Sequence, residues 1–220
     1  MKRVLIAAMA LGLSATVMAQ DPVKADPGHY KLVFENASVR VLRVSMGAGE
    51  KSPMHSHPDT MVIPLAAAKV KFTMPDGKAE DADMPIESAM YTMAGNHSGT
   101  NLGSGRIDAL IVEFKGTAPG KATIPTTRDG LALKVLADGA RALAYRSTAT
   151  PTFQEPAGSK HEFDQVVIAL SAAQMSLAID GKPAKTSWTR GESVFIPRGV
   201  AHEAKNTGGK PVDFIIVAIR

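Results

Sequence analysis

Two closely spaced histidines mark the part of the chain where chemistry is expected. The segment MHSHPDTMVIPL, residues 54–65, places His55 and His57 two residues apart, just before an apolar run. Alternate side chains of a β-strand point to the same face, so the two imidazoles would share a face with their Cα atoms about 7 Å apart. His97 is the remaining candidate in this half for a third nitrogen. Neutral imidazole binds Zn, Fe, Cu and Ni, and three protein ligands leave positions open for substrate. We therefore predict a metal site at His55, His57 and His97.

Strands must position these histidines, because short segments of alternating apolar and polar residues follow one another between turn signals. No segment of the first half keeps a helical period over three turns, and the pattern is typical of a β-sandwich or barrel. Residues 129–146, DGLALKVLADGARALAYR, could form a helix, but Gly139 in their middle favours two strands and a turn. The sequence therefore predicts an all-β fold.

The chain repeats itself at an offset of about 104 residues. HPDTMVIPLAAAKVKFTMPDGK at 57–78 matches HEFDQVVIALSAAQMSLAIDGK at 161–182, and AGNHSGTNLG at 94–103 matches RGVAHEAKNTG at 198–208. A repeat of this length indicates a duplicated domain. We predict a poorly ordered lead-in at 20–29, an N-terminal barrel at 30–116, a linker rich in Gly, Pro and Thr at 117–130, and a C-terminal barrel at 131–220.

The first 19 residues have the pattern of a signal peptide. Lys2 and Arg3 precede a short apolar stretch, and small residues before the end of VMA, at Ala19, suit a signal peptidase. We expect cleavage after Ala19 and a periplasmic or secreted bacterial protein without a stable membrane anchor; an uncleaved anchor is the alternative. Loss of Lys2 and Arg3 lowers the formal net charge from +4 to about +2.

Composition excludes several classes of function. There are no cysteines, so disulfides, thiol nucleophiles and thiolate metal sites are ruled out. No Lys/Arg run occurs, and a nucleic-acid partner is not expected. The expected partner is a small-molecule substrate or ligand, and a homodimer is plausible for a barrel with exposed strand edges.

Two motifs resemble the signatures of the cupin superfamily. GEKSPMHSH at 49–57 is similar to the first signature, and GESVFIPRGVAHEAKN at 191–206 is similar to the second, which appears shortened as MAGNHSGTN at 93–101. The resemblance covers nearly the whole chain after residue 19. It implies a bicupin: two tandem double-stranded β-helix (jelly-roll) barrels, each with a site in its mouth.

The resemblance also implies a ligand set. In this superfamily two His and one Glu of the first motif and one His of the second usually hold the metal, which matches His55, His57 and His97. The glutamate position falls at Met61, so the chain resembles the three-histidine cupins, among them Fe(II) thiol and diketone dioxygenases. Asp59 has the strand parity of the histidines and could also reach the metal.

The second half departs further from that pattern. Ser159 stands at the first histidine position and Gln165 at the glutamate position, so His161 and His202 remain as weaker candidates for a second site, with Glu162 and Asp164 nearby. We interpret this barrel as structural or as a ligand-only pocket. The asparagines of the second motif, Asn101 and Asn206, suit turns better than metal binding, and His29 is expected to be solvated.

These observations favour an exported bicupin with one divalent transition metal per chain. Iron is the preferred metal, with Mn, Zn, Ni and Cu unresolved; an enzyme of this kind would be a small-molecule dioxygenase. No catalytic acid or base can be assigned, and chemistry that needs a base at the glutamate position, as in oxalate-decarboxylating bicupins, is disfavoured. The alternatives are a non-catalytic metal- or small-ligand-binding envelope protein and a purely structural role. Seven of eleven methionines lie between Met46 and Met93, which favours flexible core packing over a Cu(I) site.

Overall fold

The computed structural model describes residues 20–117, 120, 122 and 127–220. The predicted signal peptide, residues 1–19, lies outside this range, and so does part of the predicted linker 117–130. No helix within the described range is long and apolar enough to span a membrane.

The first half consists of one short helix and nine strands arranged in two antiparallel sheets. The elements are α1 (Pro22–Ala25), β1 (Tyr30–Glu35), β2 (Val39–Met46), β3 (His55–His57), β4 (Thr60–Pro64), β5 (Ala68–Thr73), β6 (Ala79–Met84), β7 (Met90–Thr92), β8 (Gly95–Asn101) and β9 (Ile107–Phe114). A five-stranded sheet has the order β1-β2-β9-β4-β7, and a four-stranded sheet has the order β3-β8-β5-β6. The predicted all-β class is therefore confirmed.

The second half repeats this arrangement. Its strands are β10 (Thr127–Arg128), β11 (Leu131–Asp138), β12 (Ala142–Ala149), β13 (Asp164–Ala169), β14 (Ala173–Ile179), β15 (Lys182–Trp188), β16 (Ser193–Ile196), β17 (His202–Asn206) and β18 (Val212–Ile219). The large sheet runs β10-β11-β12-β18-β13-β16, and the small sheet runs β15-β14-β17. The order β12-β18-β13-β16 corresponds to β2-β9-β4-β7, so each half is a double-sheet barrel. Strands β11 and β12 confirm that the helix-like segment 129–146 forms two strands.

The segment 20–29, expected to be poorly ordered, is held against the barrel. Asp21 caps α1 by accepting from the backbone N–H of Val23, and it forms an ion pair with Arg40. His29, expected to be solvated, has its Nδ1 2.7 Å from an Asp26 oxygen and its Nε2 3.1 Å from a Glu50 oxygen. These local polar partners, which a Pro/Gly-rich composition does not reveal, order the segment.

The largest hydrophobic cluster lies between the two halves, and we call it the inter-half core. Strands of both large sheets contribute one face each, because alternate residues of a strand point to opposite sides. Its buried members are Val39, Val41, Met61, Ile63, Leu65, Leu110, Val112 and Phe114 from the first half, and Ala142, Ala144, Val166, Ile168, Leu170, Ile215, Val217 and Ile219 from the second.

Other contacts fix how the halves meet. A Cβ atom on Gly139 would lie 2.2 Å from the ring of Tyr91, so only glycine permits this approach of the first half. The Ser38 hydroxyl donates to Asp164 at 2.7 Å across the same boundary. The opposite faces of the large sheets line the interiors of their own barrels, so the central strands β4, β9, β13 and β18 are mostly buried on both faces.

Removing apolar volume from the inter-half core should destabilise the whole chain. Ile63 is fully buried there, and Ile63→Ala is expected to lower the free energy of unfolding by about 2–5 kcal/mol. Because this core joins both halves, we expect a single shifted transition in urea, followed by circular dichroism. The control is Leu32→Ala on β1, where the side chain is half exposed, with an expected loss of about 0.5 kcal/mol or less. Equal losses in the two variants would contradict the placement of Ile63.

Candidate metal centre

The structure brings the three predicted histidines of the first half together. His55 and His57 alternate along β3 and are both buried, and the Cα partner of His55 across the sheet is His97 of β8. The ring centroids are 4.9 Å apart for His55 and His57, 4.7 Å for His55 and His97, and 5.4 Å for His57 and His97. One nitrogen from each ring can be chosen so that all lie within 4.8 Å of one another. The shared face expected from strand alternation is what produces this convergence.

Hydrogen bonds to the outer nitrogens decide which ring atoms face the centre. Nδ1 of His55 donates to the carbonyl oxygen of Pro53 at 2.8 Å, so Nε2 carries the lone pair. This Nε2 is buried and has no hydrogen-bond partner among the residues that the structure describes. A buried polar atom without a partner is costly, and a metal ion would satisfy it. The donor set therefore fits a divalent transition metal.

A buried carboxylate that the sequence reading missed holds the second histidine. Glu113 of β9 has an oxygen 2.6 Å from Nδ1 of His57. Arg40, its register partner on β2, donates to the other oxygen at 3.3 Å. A carboxylate behind a ligating imidazole fixes the tautomer and leaves Nε2 for the metal. The sequence signal for Glu113 is that it is the single charged residue in the apolar run ALIVEF. It lies on the same side of β9 as Ile107 and Ile111, so it faces the barrel interior as they do.

Strand β4 corrects two expectations about the missing fourth ligand. Met61 lies in the inter-half core, so the position assigned to the glutamate faces away from the histidines; Thr60 and Val62 face them instead. Asp59, expected to be within reach of the metal, accepts from the Tyr91 hydroxyl at 2.6 Å and from the Ala94 backbone N–H at 2.7 Å. The chain turns between β3 and β4, so the Asp59 side chain points toward β7. The alternation of faces along β3 therefore does not extend to Asp59.

An apolar cavity opens beside the imidazoles, and we call it the N-terminal cavity. Two of the histidines, a hydrogen-bonded pair of threonines and mostly aliphatic and aromatic side chains line it. The described lining residues are Tyr30, Val44, Met46, His57, Thr60, Val62, Val70, Phe72, Met84, Thr92, His97, Gly99, Ile107 and Ile111. Met46, Met61 and Met84 are buried core residues, in agreement with methionine as a packing residue.

Burial favours the neutral form of His97 and His55. Burial, followed by repulsion from His55 and then His57, lowers the pKa of His97 to about 3. Burial is also the main cause of a lowered pKa at His55. Neutral rings have the lone pairs that metal binding requires.

The second-half candidates also converge. His161 and His202 have ring centroids 4.9 Å apart, and Glu155, rather than Glu162 or Asp164, lies with them. Glu162 is exposed, and Asp164 accepts from Ser38 and from the Arg198 backbone N–H. Asn101 donates to the carbonyl oxygens of Met46, Gly47 and Gly105, and Asn206 makes the corresponding bonds; their expected role in turns is confirmed.

Comparison with known proteins relates the chain to others by fold. No protein-family model and no curated protein sequence matches it. AerE from Microcystis aeruginosa is similar with a TM-score of 0.71 at 14% identity, covering 92% of this chain and 97% of that one. A cupin 2 conserved barrel domain protein from Leptotrichia buccalis is similar with a TM-score of 0.57 at 11% identity, covering 87% and 88%. Salicylate 1,2-dioxygenase from Pseudoaminobacter salicylatoxidans, with gentisate adducts, is similar with a TM-score of 0.62 at 11% identity, covering 84% and 70%. The chain therefore has the cupin type of β-barrel fold.

Loss of the carboxylate behind His57 should weaken metal binding. In Glu113→Gln the side chain keeps its shape but no longer holds His57 through a charged hydrogen bond, so metal affinity should fall about 10–100-fold. Zn(II) titration calorimetry on the chelator-treated protein measures this. The control is Glu80→Gln on exposed β6, for which no change is expected. Unchanged affinity in Glu113→Gln would remove Glu113 from the site.

The lowered histidine pKa should make the metal-free protein acid-sensitive. His97 of the unfolded chain binds a proton below about pH 6.5, whereas His97 of the folded chain binds one only below about pH 3. The free energy of unfolding therefore falls as the pH decreases between these values. His97→Gln lacks this linkage and should lose less stability than the wild type between pH 7 and pH 4. Thermal unfolding of both chelated proteins across this range is the measurement. Parallel curves would contradict the proposed burial of a neutral His97.

Proposed function

We propose that the chain is an exported bicupin that binds one divalent transition metal ion through His55, His57 and His97 and uses it in small-molecule dioxygenase chemistry. The observation that carries the proposal is the convergence of the three imidazoles on a point where the buried Nε2 of His55 has no partner among the described residues. Iron is the preferred metal, since three imidazoles with open positions suit several metals and O₂ chemistry selects a redox-active one. Export is supported by the signal-like pattern of residues 1–19.

The chain's own residues would prepare the site before substrate arrives. Glu113 and the Pro53 carbonyl orient His57 and His55, so no reorganisation of these rings is needed when the ion binds. The bound ion would supply an electron-pair acceptor and a redox centre. The walls of the N-terminal cavity, including Tyr30 and Phe72, would exclude water and bind the apolar body of a substrate.

The lining of the cavity bears on the reaction class. Its described lining residues include no carboxylate, so a base of that kind is not positioned beside the substrate. This favours oxygen chemistry at the metal over reactions that begin with proton abstraction by Asp or Glu. The fold shared with a salicylate 1,2-dioxygenase agrees with this reaction class, and an aromatic-walled cavity suits a small apolar or aromatic substrate.

Metal content tests the proposal directly. The 20–220 protein, purified without chelator or affinity tag, is compared with His57→Ala; the variant should contain one equivalent of metal less per chain, because a buried ligand is lost. The matched control is His29→Ala, whose ring is held by Asp26 and Glu50 outside the cluster and which should lose no metal. Equal metal content in all three proteins would refute the site.

Oxygen consumption then separates enzyme from binding protein. The Fe(II)-loaded wild type should consume O₂ when a small aromatic acid that serves as its substrate is added, and His57→Ala should not. A metal that is retained without any uptake across a panel of aromatic acids and diketones would instead support the alternative of a non-catalytic metal- or ligand-binding envelope protein.

A further inference from the structure

We propose that the second half carries its own divalent metal site, held by Glu155, His161 and His202. One ligand atom from each of these side chains can be chosen so that all lie within 4.8 Å of one another, as in the first half. Glu155 and His202 are each only 5% exposed. This site is separate from the three-histidine centre and does not depend on it.

The fold explains how a carboxylate enters this site. The bridge between Ser159 and His202 stands where His55 pairs with His97 in the first half. Ser159 donates its hydroxyl to the Pro156 carbonyl oxygen at 2.7 Å and supplies no imidazole. The ligand lost at this position is replaced from a point slightly earlier in the same segment.

That point is the counterpart of Ser52. The backbone N–H of Ser52 donates to the Gly99 carbonyl oxygen at 2.9 Å, and the backbone N–H of Glu155 donates to the Ala204 carbonyl oxygen at 2.8 Å. Ser52 follows the bridge between Lys51 and Thr100, and Glu155 follows the corresponding bridge between Gln154 and Lys205. In the first half this position holds a short hydroxyl that accepts from the Gly99 N–H; in the second it holds a carboxylate long enough to reach the histidines.

The distance between Glu155 and His202 fits two ligands of one ion. An oxygen of Glu155 lies 3.6 Å from Nε2 of His202, which is too long for a hydrogen bond. Two ligands at about 2.1 Å from one ion, at a tetrahedral angle, are about 3.4 Å apart. The negative charge of Glu155 would also stabilise a dication held between the carboxylate and the imidazoles in this buried position.

A second polar group points to a ligand in the same place. The cavity beside these residues, the C-terminal cavity, is also lined by Gln165, which is 3% exposed and whose amide nitrogen has no hydrogen-bond partner in the described part of the chain. Aromatic side chains including Phe153, Trp188 and Phe214 form much of the remaining wall. An organic ligand with an apolar body and an oxygen acceptor facing Gln165 would complete the site next to the metal.

The donor set differs from that of the first half. Two histidines and one carboxylate with open positions form the arrangement found in non-haem Fe(II) oxygenases, and the same set also binds zinc. The chain would then hold two ions in chemically different environments, the first with nitrogen ligands only and the second with mixed ligands.

The test uses the full 20–220 chain with the first site disabled. His97→Ala removes a ligand of the N-terminal site, and Co(II) is added to the chelated protein while its visible absorption and bound metal are measured. We expect one bound Co(II) per chain. Adding Glu155→Gln in this background should weaken Co(II) binding by at least about 100-fold, since a direct ligand matters at least as much as its outer partners.

The matched control is Glu203→Gln in the same background. Glu203 is the exposed neighbour of His202, so this change removes the same charge without touching the cluster, and Co(II) affinity should stay unchanged. Circular dichroism verifies that each variant is folded, and His202→Ala serves as an independent ligand variant should Glu155→Gln unfold. No Co(II) bound to folded His97→Ala, or equal affinity in Glu155→Gln and Glu203→Gln, would overturn the proposal and leave Glu155 and His202 as an internal ion pair. If only the first site were wrong, the result would be different. The wild type would then bind one ion, which Glu155→Gln would remove and His57→Ala would not.

Discussion

The packing of the two large sheets against each other is the constraint on which the rest of the structure depends. It buries both faces of the central strands, so residues of β4 alternate between the inter-half core and the barrel interior, and strand parity decides which. Met61 and Ile63 are committed to the core, and Thr60 and Val62 to the N-terminal cavity. A shift of one residue would exchange these sets and place polar side chains between the halves. The register of the large sheets thus fixes which side chains can take part in chemistry.

The candidate centre requires both sheets of its barrel. The small sheet supplies the imidazoles from β3 and β8, and the large sheet supplies Glu113, which lies opposite Arg40 on β2 and Thr60 on β4. In these buried surroundings the hydrogen bond between Glu113 and His57 gains strength, and Arg40 offsets the carboxylate charge. The same strand order recurs in both halves, while the side chains that face the two cavities differ.

Much of this arrangement could be predicted from the sequence, because it follows from local patterns. Alternation along HSH places His55 and His57 on one face, and the offset of about 104 residues reveals two similar halves. The sequence does not show which face of a doubly buried strand meets the cavity, so Met61 was assigned to the wrong side. Glu113 and Glu155 lie outside the spacing of the histidine motifs and become neighbours of the site only through sheet register and a β-bridge. The turn before β4 similarly redirects Asp59, against simple parity.

The start of the described chain lies next to β3, the strand that carries His55 and His57. The carbonyl oxygen of Gln20 accepts from the backbone N–H of Ser56 at 3.0 Å, and Gln20 forms a parallel bridge with His55. A tag fused directly to Gln20 of the 20–220 protein would therefore be attached beside the candidate centre. A polyhistidine tag at that end would bring competing imidazoles to the site, whereas Arg220 emerges at the edge of β18, where its backbone N–H donates to Arg141. The choice of fusion terminus is thus part of the coordination chemistry that an experimenter would observe.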